Sequence, residues 1–237
     1  MSKIVAIIPA RSGSKGVPDK NIKRLGNYTL LEWTIKACQS SEFIDEIYVS
    51  TDSLKYSLHA KKAGALVPFL RPQNISKDNS TDYEFISHAL HWFEINSNLP
   101  NYIVHMRPTT PLRDPKIIDK AIETFIKNQN FTSLRSVHKM SESAYKTFEI
   151  DSSGRLLNIC NLSPNLDIAN NARQSFSSTY SGNGYVDVLS VSYIKKTGLL
   201  HGDNVLAFET EQVIEVDSPQ DFKYLEFELS NKSTMHK

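Results

Sequence analysis

The chain has 237 residues, of which 40% are apolar and 22% charged. This length supports one main domain with at most a small lobe, because chains of this size seldom divide into two large cores. The formal net charge of +1 provides no overall field that would attract nucleic acid or a membrane surface. We therefore expect neither nucleic acid nor a membrane as a partner, and any anion binding has to come from a local cluster of cations.

The two cysteines, Cys38 and Cys160, lie far apart and outside any CxxC or Cys/His spacing. This arrangement argues against a disulfide scaffold or a structural zinc site. The apolar run at 4–10 is too short to span a bilayer, lacks a small-residue cleavage pattern and leads directly into Arg11. We expect a reduced, cytoplasmic protein without a signal peptide or a membrane helix.

Short apolar runs alternate with helical patterns in the first half of the chain. The predicted strands are 4–10, 46–51, 65–70 and 102–106, and the predicted helices are 30–38, 53–63, 82–95 and one from Pro115. Alternation at this spacing is typical of a parallel sheet with helices on both faces. Residues 1 to about 135 are therefore predicted to form a Rossmann-like, doubly wound, mostly parallel α/β domain.

The second half of the chain has a different pattern. Short β-like runs surround a DSSG turn at 151–154, and a long irregular stretch rich in Asn and Ser follows at 161–183. Such a stretch is either an excursion that packs on a partner or a loop near a site. Three further strands and a helix are predicted at 184–194, 205–209, 212–217 and Pro219 to about Glu228.

The segment PARSGSKGVPDKN at 9–21 directly follows the first predicted strand. Carboxyl ends of parallel strands face the ligand crevice, so this loop is well placed to hold a substrate. Gly13 and Gly16 let the backbone approach an anion closely, and exposed N–H groups can surround its oxygens. Three cations complete the loop: Arg11, Lys15 and Lys20. The combination suits a triphosphate, and a solvated basic turn is the alternative.

The loop is neither a Walker A sequence nor a GxGxxG fingerprint, because Lys15 precedes Gly16 and no hydroxyl residue follows it. Two carboxylates late in the chain, Glu215 and Asp217, alternate along a predicted strand and so point to one face. Facing a triphosphate, they would be natural magnesium ligands. The alternative is that Asp217 or its neighbour Ser218 caps the following helix.

Other polar segments follow the ends of predicted strands. Ser50-Thr51-Asp52 suits ribose or metal contacts, or else a helix cap from Asp52 or Ser53. The turn Arg107-Pro108-Thr109-Thr110-Pro111-Leu112-Arg113 is stiffened by proline and offers hydroxyls to a polyhydroxylated substrate. No zinc spacing or Ser-His-Asp order is present, so we expect the histidines to be satisfied or solvent-facing.

Taken in chain order, these segments resemble the N-acylneuraminate (CMP-sialic acid) cytidylyltransferase family, which activates nine-carbon 2-keto-3-deoxy sugar acids. The resemblance spans residues 3 to roughly 225 and rests on PARSGSKGVPDKN, Ser50-Thr51-Asp52, Arg71-Pro72 with Asp78, Pro108 to Arg113, Arg173-Gln174, Asn183-Gly184, and Glu215 with Asp217. Lys15-Gly16 and Lys20-Asn21 favour this group over the eight-carbon 3-deoxy-manno-octulosonate cytidylyltransferases, whose loop usually reads closer to PARYGSTRLPGKP.

The resemblance implies a reaction of CTP with a nonulosonic acid, with Mg²⁺ as cofactor. The catalytic cations would be Arg11, Lys15 and Lys20. The nucleotide-binding residues would be Ala10, Arg11, Ser12, Gly13, Ser14, Lys15, Gly16, Asn21, Asp52, Arg71 and Asp78. The sugar-binding residues would be Arg107, Thr109, Thr110, Lys146, Arg173, Gln174, Asn183 and Gly184. The metal ligands would be Asp217 and Glu215.

The resemblance also implies a single domain over 1–237 with a β-rich dimerisation lobe inserted at about 138–185. In such a homodimer Lys146, Arg173 and Gln174 would line the neighbour's sugar pocket, although exposed charge on a β lobe is the alternative. The chain departs from the usual family pattern at three positions: Arg107 for Gln, Ser181 for Arg, and Glu215 for Asp. Arg107 would bind the substrate's C1 carboxylate or form a structural ion pair.

Two other functions remain open from the sequence. One is an octulosonate-type cytidylyltransferase, which differs only in the sugar pocket. The other is a non-catalytic relative that binds nucleotide sugars. The departures from the family pattern at Glu215 and Ser181 are the features that favour this alternative.

Overall fold

The structure, a computed structural model, describes residues 2–160 and 165–235, with the side chains of the last helix described to residue 231. Within these residues the strands are β1 (Ile4–Pro9), β2 (Arg24–Leu25), β3 (Tyr28–Thr29), β4 (Glu46–Ser50), β5 (Tyr102–His105), β6 (Ser133–Lys139), β7 (Phe148–Ile150), β8 (Leu156–Asn158), β9 (Tyr180–Ser190) and β10 (Val205–Glu209). The α-helices are α1 (Leu30–Gln39), α2 (Leu54–Lys62), α3 (Asp82–Ile95), α4 (Pro115–Lys127), α5 (Val191–Thr197) and α6 (Pro219–Met235).

Six strands form the central sheet in the order β10-β6-β9-β5-β1-β4. β1 pairs in parallel with β4 and β5, and β10 pairs in parallel with β6. β9 is antiparallel to both of its neighbours, β5 and β6. The sheet is therefore mixed but mostly parallel, and the predicted α/β fold is confirmed.

Alternate residues of β1 face opposite sides of the sheet and enter two separate cores. Ala6 and Ile8 pack with buried residues of α1, α2 and α4, whereas Val5 and Ile7 pack with buried residues of α3 and α5. Both faces of the sheet are thus covered by helices, as an apolar strand without polar alternation requires.

A third, smaller core connects the loop after β1 to the end of the chain. Val17 from the loop packs with Val216, Phe222 and Leu225, together with residues at the start of α1. This cluster is important for the site because it fixes the segment that carries Glu215 and Asp217 against the loop that carries the cations.

Local sequence sets the ends of the helices beside the sheet. Thr29 and Glu32 exchange hydrogen bonds in a capping box at the start of α1. The Asp114 carboxylate accepts from the backbone of Lys116, and Pro115 occupies the first turn of α4. None of the helices in the described part of the chain is both long and apolar enough to cross a bilayer.

Three predicted strands were wrong in whole or in part. The run at 65–70 contributes a single isolated bridge, between Tyr48 and Leu66. The run at 184–194 ends as a strand at Ser190, where the serine caps α5. The run at 212–217 forms no strand, and its Val216 N–H donates to the carbonyl of Thr109, beyond the end of β5. Sheet pairing, which is not local, decided against the runs at 65–70 and 212–217, whereas a local helix cap ended the strand at Ser190.

The chain leaves the sheet after Lys139 and returns at Tyr180. The first and last residues of the predicted lobe, 138–185, belong to β6 and β9. The segment that leaves the sheet is therefore shorter than the predicted lobe. Its described part contains the two-stranded β7-β8 ribbon, and the first four residues of the predicted irregular stretch, 161–164, lie outside the described residues. Several apolar side chains of the ribbon are exposed: Phe148, Ile150, Leu156 and Leu157.

Candidate active site

A cleft of about 410 Å³ opens where β1 and β5 end. Its lining includes eleven of the residues predicted for the site: Arg11, Ser14, Lys15, Gly16, Lys20, Asn21, Arg71, Arg107, Thr109, Glu215 and Asp217. These residues come from four separated parts of the chain. The sheet topology brings them together because the carboxyl ends of the parallel strands share one edge.

The loop after β1 is fastened to its neighbours by side chains. The Ser12 backbone N–H and hydroxyl both donate to Asp52, at 2.7 Å each. The Asn21 amide donates to the carbonyl of Arg11 at 3.1 Å. Gly13 has φ +73, a backbone conformation that favours glycine. Asp52 thus holds the loop in shape, while Ser53 caps α2.

Lys20 connects the loop to the carboxylate segment. Its ammonium donates to the carbonyl of Val216 at 2.7 Å and to Asp217 at 3.1 Å. A Cβ on Gly16 would collide with the backbone carbonyl of Asp217, so this contact requires glycine. The two segments therefore approach as closely as backbone atoms allow.

Arg11 and Lys15 both pair with Asp78, which lies across the mouth of the cleft. The Arg11 guanidinium is 2.8 Å from Asp78, and the Lys15 ammonium contacts its other oxygen. Hydrogen bonding by Lys15, with a further contribution from Arg11, holds the pKa of Asp78 below its ordinary value. Lys15 is 84% exposed, so this pair can exchange for a ligand at little desolvation cost.

Glu215 and Asp217 project from an extended segment on either side of buried Val216. The Val216 N–H donates to the carbonyl of Thr109 at 2.8 Å, and the Thr109 hydroxyl donates to Glu215 at 2.9 Å. Ser218 and Asp221 exchange hydrogen bonds at the start of α6. Ser218 therefore serves as the helix cap, and the side chain of Asp217 faces the cleft.

The two carboxylates fit a magnesium ion by the chemistry of their donors. Carboxylate oxygens are hard ligands, and Mg²⁺ is commonly held by one or two of them beside its waters. Glu215 uses one oxygen for Thr109 and Asp217 uses one for Lys20. No group of three or more His, Cys, Asp or Glu side chains with metal-binding geometry occurs among the described residues, so a protein cage is not formed.

Arg71 lines the cleft beside α3. It is 5% exposed, donates to the hydroxyl and carbonyl of Ser50 at 3.0 and 2.7 Å, and lies over the ring of Phe85. Burial lowers its pKa to about 10, so the guanidinium remains charged at neutral pH. Its fixed geometry suits a ligand oxygen at this wall of the cleft.

Arg107 lies at the floor of the cleft and is engaged by two carboxylates. Its Nη1 donates to Asp187 at 2.9 Å and its Nη2 donates to Asp82 at 2.8 Å. Burial disfavours its charge, but Asp187 and Asp82 outweigh this effect and raise its pKa. The structural ion pair considered from the sequence is present, and the predicted contact with a substrate carboxylate remains a prediction.

The 107–113 turn is held by its last residue. The buried Arg113 guanidinium donates to the carbonyls of Arg107, Thr110, Gly184 and Tyr185. Thr110 is enclosed behind the turn, and its hydroxyl has no hydrogen-bond partner among the described residues. Of the predicted sugar residues in this part, only Arg107 and Thr109 line the cleft.

Asn183 and Gly184 support the cleft from below. The buried Asn183 amide donates to the Thr210 hydroxyl at 2.6 Å. Gly184 has φ +61, and a Cβ there would lie 3.3 Å from a Glu215 oxygen and 3.6 Å from Cδ of Arg107. The glycine therefore leaves room beside it for the side chains of both Glu215 and Arg107.

Eight of the predicted residues are absent from the lining of the cleft within the described chain, besides Thr110, Asn183 and Gly184: Ala10, Ser12, Gly13, Asp52, Asp78, Lys146, Arg173 and Gln174. Lys146 lies over the Phe176 ring, and Arg173 donates to the carbonyl of Met140 at 3.1 Å. Both positions belong to the excursion between β6 and β9. Arg173 and Gln174 line a separate hollow there.

Sequence reasoning missed two acidic residues. Asp82 lines the cleft but reads as an ordinary first-turn residue of a helix, and Asp187 is a carboxylate within the apolar run of β9. The sequence signal for Asp187 is a charged residue in the middle of an apolar strand. It indicates a buried partner, because an unpaired buried carboxylate is costly. Its partner, 80 residues away, could not be identified from the sequence.

The fold and the cleft together define an α/β nucleotidyltransferase. The family model described as "Cytidylyltransferase" matches residues 5–183, and the chain belongs to that family. The resemblance recognised from the sequence motifs is thereby confirmed at the level of family and enzyme class.

Similar proteins carry several substrate names. An N-acylneuraminate cytidylyltransferase of Escherichia coli O18:K1:H7 is 30% identical over 94% of this chain, which spans about half of that protein, 51%. The post-translational flagellin modification protein B of Campylobacter coli is 27% identical over 100% of this chain and 99% of its own length. A CMP-N,N'-diacetyllegionaminic acid synthase of Legionella pneumophila is 35% identical over 65% of this chain and 66% of its own.

One solved structure has the same fold across almost the whole chain. A CMP:2-keto-3-deoxy-manno-octonic acid synthetase complexed with CTP superposes with a TM-score of 0.74, covering 98% of this chain and 100% of that one. The two sequences are 14% identical, so the likeness is one of fold alone.

Proposed function

We propose that the protein transfers CMP from CTP to the anomeric C2 hydroxyl of a nine-carbon 2-keto-3-deoxy sugar acid and releases pyrophosphate. The observation that carries the proposal is one cleft with cations from the loop after β1 on one side and the Glu215-Asp217 pair on the other. The names of relatives that act on neuraminic and legionaminic acids support the sugar class. The particular sugar stays open within that class.

The reaction is a substitution at the α-phosphorus. The C2 oxygen forms the new P–O bond, the bond to the bridging oxygen of the β-phosphate breaks, and its electron pair leaves with pyrophosphate. The proton of the hydroxyl passes to solvent or to a cleft carboxylate. Catalysis in such transfers depends on positioning and on neutralising charge.

The loop residues would bind the part of CTP that leaves. Arg11 and Lys15 exchange Asp78 for oxygens of the β- and γ-phosphates, while Lys20 remains anchored on the carbonyl of Val216. A preorganised cation of this kind stabilises the transition state by about 3 kcal/mol, judged by single oxyanion donors. Arg71, with little freedom to move, would orient the nucleotide.

We further propose that Asp217 and Glu215 hold Mg²⁺ during the reaction. When bound, the ion neutralises phosphate charge and acidifies the attacking hydroxyl. Thr109 orients Glu215 through its hydroxyl, and Lys20 orients Asp217. These two contacts keep both carboxylates turned toward the cleft before any ligand arrives.

A homodimer is part of the same proposal. The β7-β8 ribbon exposes Ile150 at 72% and Leu156 at 45%, and such adjacent apolar side chains favour burial against another surface. Arg173, Gln174 and Lys146 lie on the same excursion, so a second copy would present them to the neighbouring cleft. We place the reaction in the cytoplasm, since Cys38 and Cys160 are free thiols.

An octulosonate substrate is the second candidate. The TM-score of 0.74 to the octonic acid synthetase keeps it in consideration, although fold alone does not determine the sugar. The loop residues Lys15-Gly16 and Lys20-Asn21 favour the nine-carbon group.

The test is pyrophosphate release with CTP and Mg²⁺, with neuraminate, legionaminate, pseudaminate and 3-deoxy-octulosonate in parallel. Release is expected with one nonulosonate and is expected to disappear in Asp217→Ala. Asp203→Ala, at an exposed position that does not line the cleft, is the matched control and should retain activity. Binding of CTP without release for any of the sugars would instead support a non-catalytic relative.

A further inference from the structure

Arg107 is fixed at one end and open to exchange at the other. Asp187, which accepts from Nη1, is 1% exposed, whereas Asp82, which accepts from Nη2, is 42% exposed. The guanidinium is thus a bridge that runs from the interior of the sheet to the wall of the cleft. Each of its terminal nitrogens already donates one hydrogen bond to a carboxylate, Nη1 to Asp187 and Nη2 to Asp82.

The buried end has one direct donor. Among the described residues only Arg107 reaches Asp187 within hydrogen-bond distance, while His105, His201 and Arg135 remain 3.7, 4.0 and 4.0 Å away. Burial lowers the pKa of His105 to about 3, so this imidazole is neutral at pH 7. A carboxylate buried in this way holds its partner tightly, because separation leaves a charge without compensation.

The cleft end presents an acceptor. Oδ2 of Asp82 receives the hydrogen bond from Arg107, and no described residue donates to Oδ1. Burial would raise the pKa of Asp82, but the charge and the hydrogen bond of Arg107 outweigh this and hold it below its ordinary value. The residue therefore offers the cleft an ionised oxygen, which can only accept hydrogen bonds.

We propose that Asp82 recognises a neutral N–H or O–H group of the substrate, and that Arg107 and Asp187 are positioning residues that hold its carboxylate in place. The inference rests on the proposed function, because it concerns the same cleft. The donor has two possible sources in that reaction: the exocyclic amino group of cytosine, and a hydroxyl or amide N–H of the sugar acid. On this proposal the sugar's own carboxylate does not bind at this wall, because it would meet the like charge of Asp82.

The first experiment measures KM and kcat separately for both substrates in Asp82→Asn. Arg107 would donate to the amide oxygen of the new asparagine, so that its NH₂ group faces the cleft. This NH₂ group is a donor and cannot accept the hydrogen bond of the substrate's own donor. We expect the KM of the recognised substrate to rise at least about tenfold, the range for a hydrogen bond to a charged group. We expect the other KM to change less than about twofold and kcat less than about threefold.

The two arms identify the source of the donor. If it is cytosine, the KM for CTP rises, and the preference for CTP over UTP, which lacks the amino group, falls in the variant. If it is the sugar, the KM for the sugar acid rises and the nucleotide preference is unchanged. Asp82→Ala removes the acceptor without adding a donor, so we expect a smaller rise in the same KM.

Asp187→Asn is the matched control at the buried end of the bridge. It is expected to lower the melting temperature and to produce a weaker change in the same KM, because it loosens Arg107 without touching the cleft.

Unchanged KM values for both substrates in Asp82→Asn would overturn the proposal and leave Asp82 as a counter-ion alone. A lower KM for the sugar acid would also overturn it, because Arg107 would then be binding the sugar's carboxylate directly. Failure of the proposed function differs from both results, since no sugar would then support pyrophosphate release in the parent protein.

Discussion

The cleft has two groups of ion pairs that differ in burial. Near the mouth, Arg11 and Lys15 share Asp78, and all three side chains are at least 32% exposed. At the floor, Arg107 is tied to Asp187, which is 1% exposed. Exposed pairs contribute little to stability and exchange readily, whereas buried pairs are costly to break. One end of the cleft is therefore suited to exchanging partners and the other to holding a fixed geometry.

The largest effect is expected from breaking the buried pair. Arg107→Ala leaves the Asp187 carboxylate without its donor and should lower the free energy of unfolding by about 3–5 kcal/mol, measured by urea denaturation. The double variant Arg107→Gln/Asp187→Asn replaces the charges with a neutral amide pair and should recover most of this loss. If the single variant costs less than about 1 kcal/mol, the floor is not the rigid part of the cleft.

The next effect concerns the cation that connects both sides of the cleft. Lys20→Ala removes the ammonium that reaches Val216 and Asp217 and should reduce kcat/KM at least about a hundredfold, measured by pyrophosphate release. Lys15→Ala is expected to lose a similar factor through the leaving phosphates. Lys55→Ala, which removes an exposed partner of Asp19, is the control. A turnover within threefold of the parent for Lys15→Ala or Lys20→Ala would remove the proposed role.

The pH dependence of stability should reveal the buried floor. Burial lowers the pKa of His105 from 6.5 to about 3, so between these values the unfolded chain binds the proton that the folded chain excludes. The contribution of His105 to the free energy of unfolding is therefore complete above pH 6.5. It decreases as the pH drops toward 3, by up to about 1.4 kcal/mol per pH unit. Urea denaturation from pH 7 to pH 4 should give a shallower dependence for His105→Asn than for the parent, and an unchanged one for exposed His91→Asn. Equal slopes for both variants would contradict this assignment.

The smallest effect has the opposite sign. Asp78→Asn frees Arg11 and Lys15 from their counter-ion, so CTP should bind about threefold more tightly at low salt, and this gain should shrink as salt screens the cations. Isothermal titration of CTP into the two proteins measures it. Weaker binding in the variant would mean that Asp78 contacts the nucleotide directly, as the resemblance implied.

The elements beside the cleft were predicted best where the signal is local. The apolar run before Arg11 became β1, and the pattern at 82–95 became α3 with the same bounds. The run at 212–217 was predicted as a strand, yet Glu215 and Asp217 reach the cleft from an extended segment held by Thr109 and Lys20. The alternation of side chains survived without the strand, because any extended backbone places i and i+2 on one side.

The sequence by itself determined the fold class, the family and the composition of the loop at 9–21, because these depend on periodicity and on residues adjacent in the chain. Only the tertiary structure decided which cations are paired and with what. Asp52 proved to fasten the loop, Asp78 to join two cations, and Arg107 to connect Asp82 with Asp187. Such partners lie tens of residues apart, and the energy of an ion pair depends on its burial, which becomes defined only when the sheet has assembled.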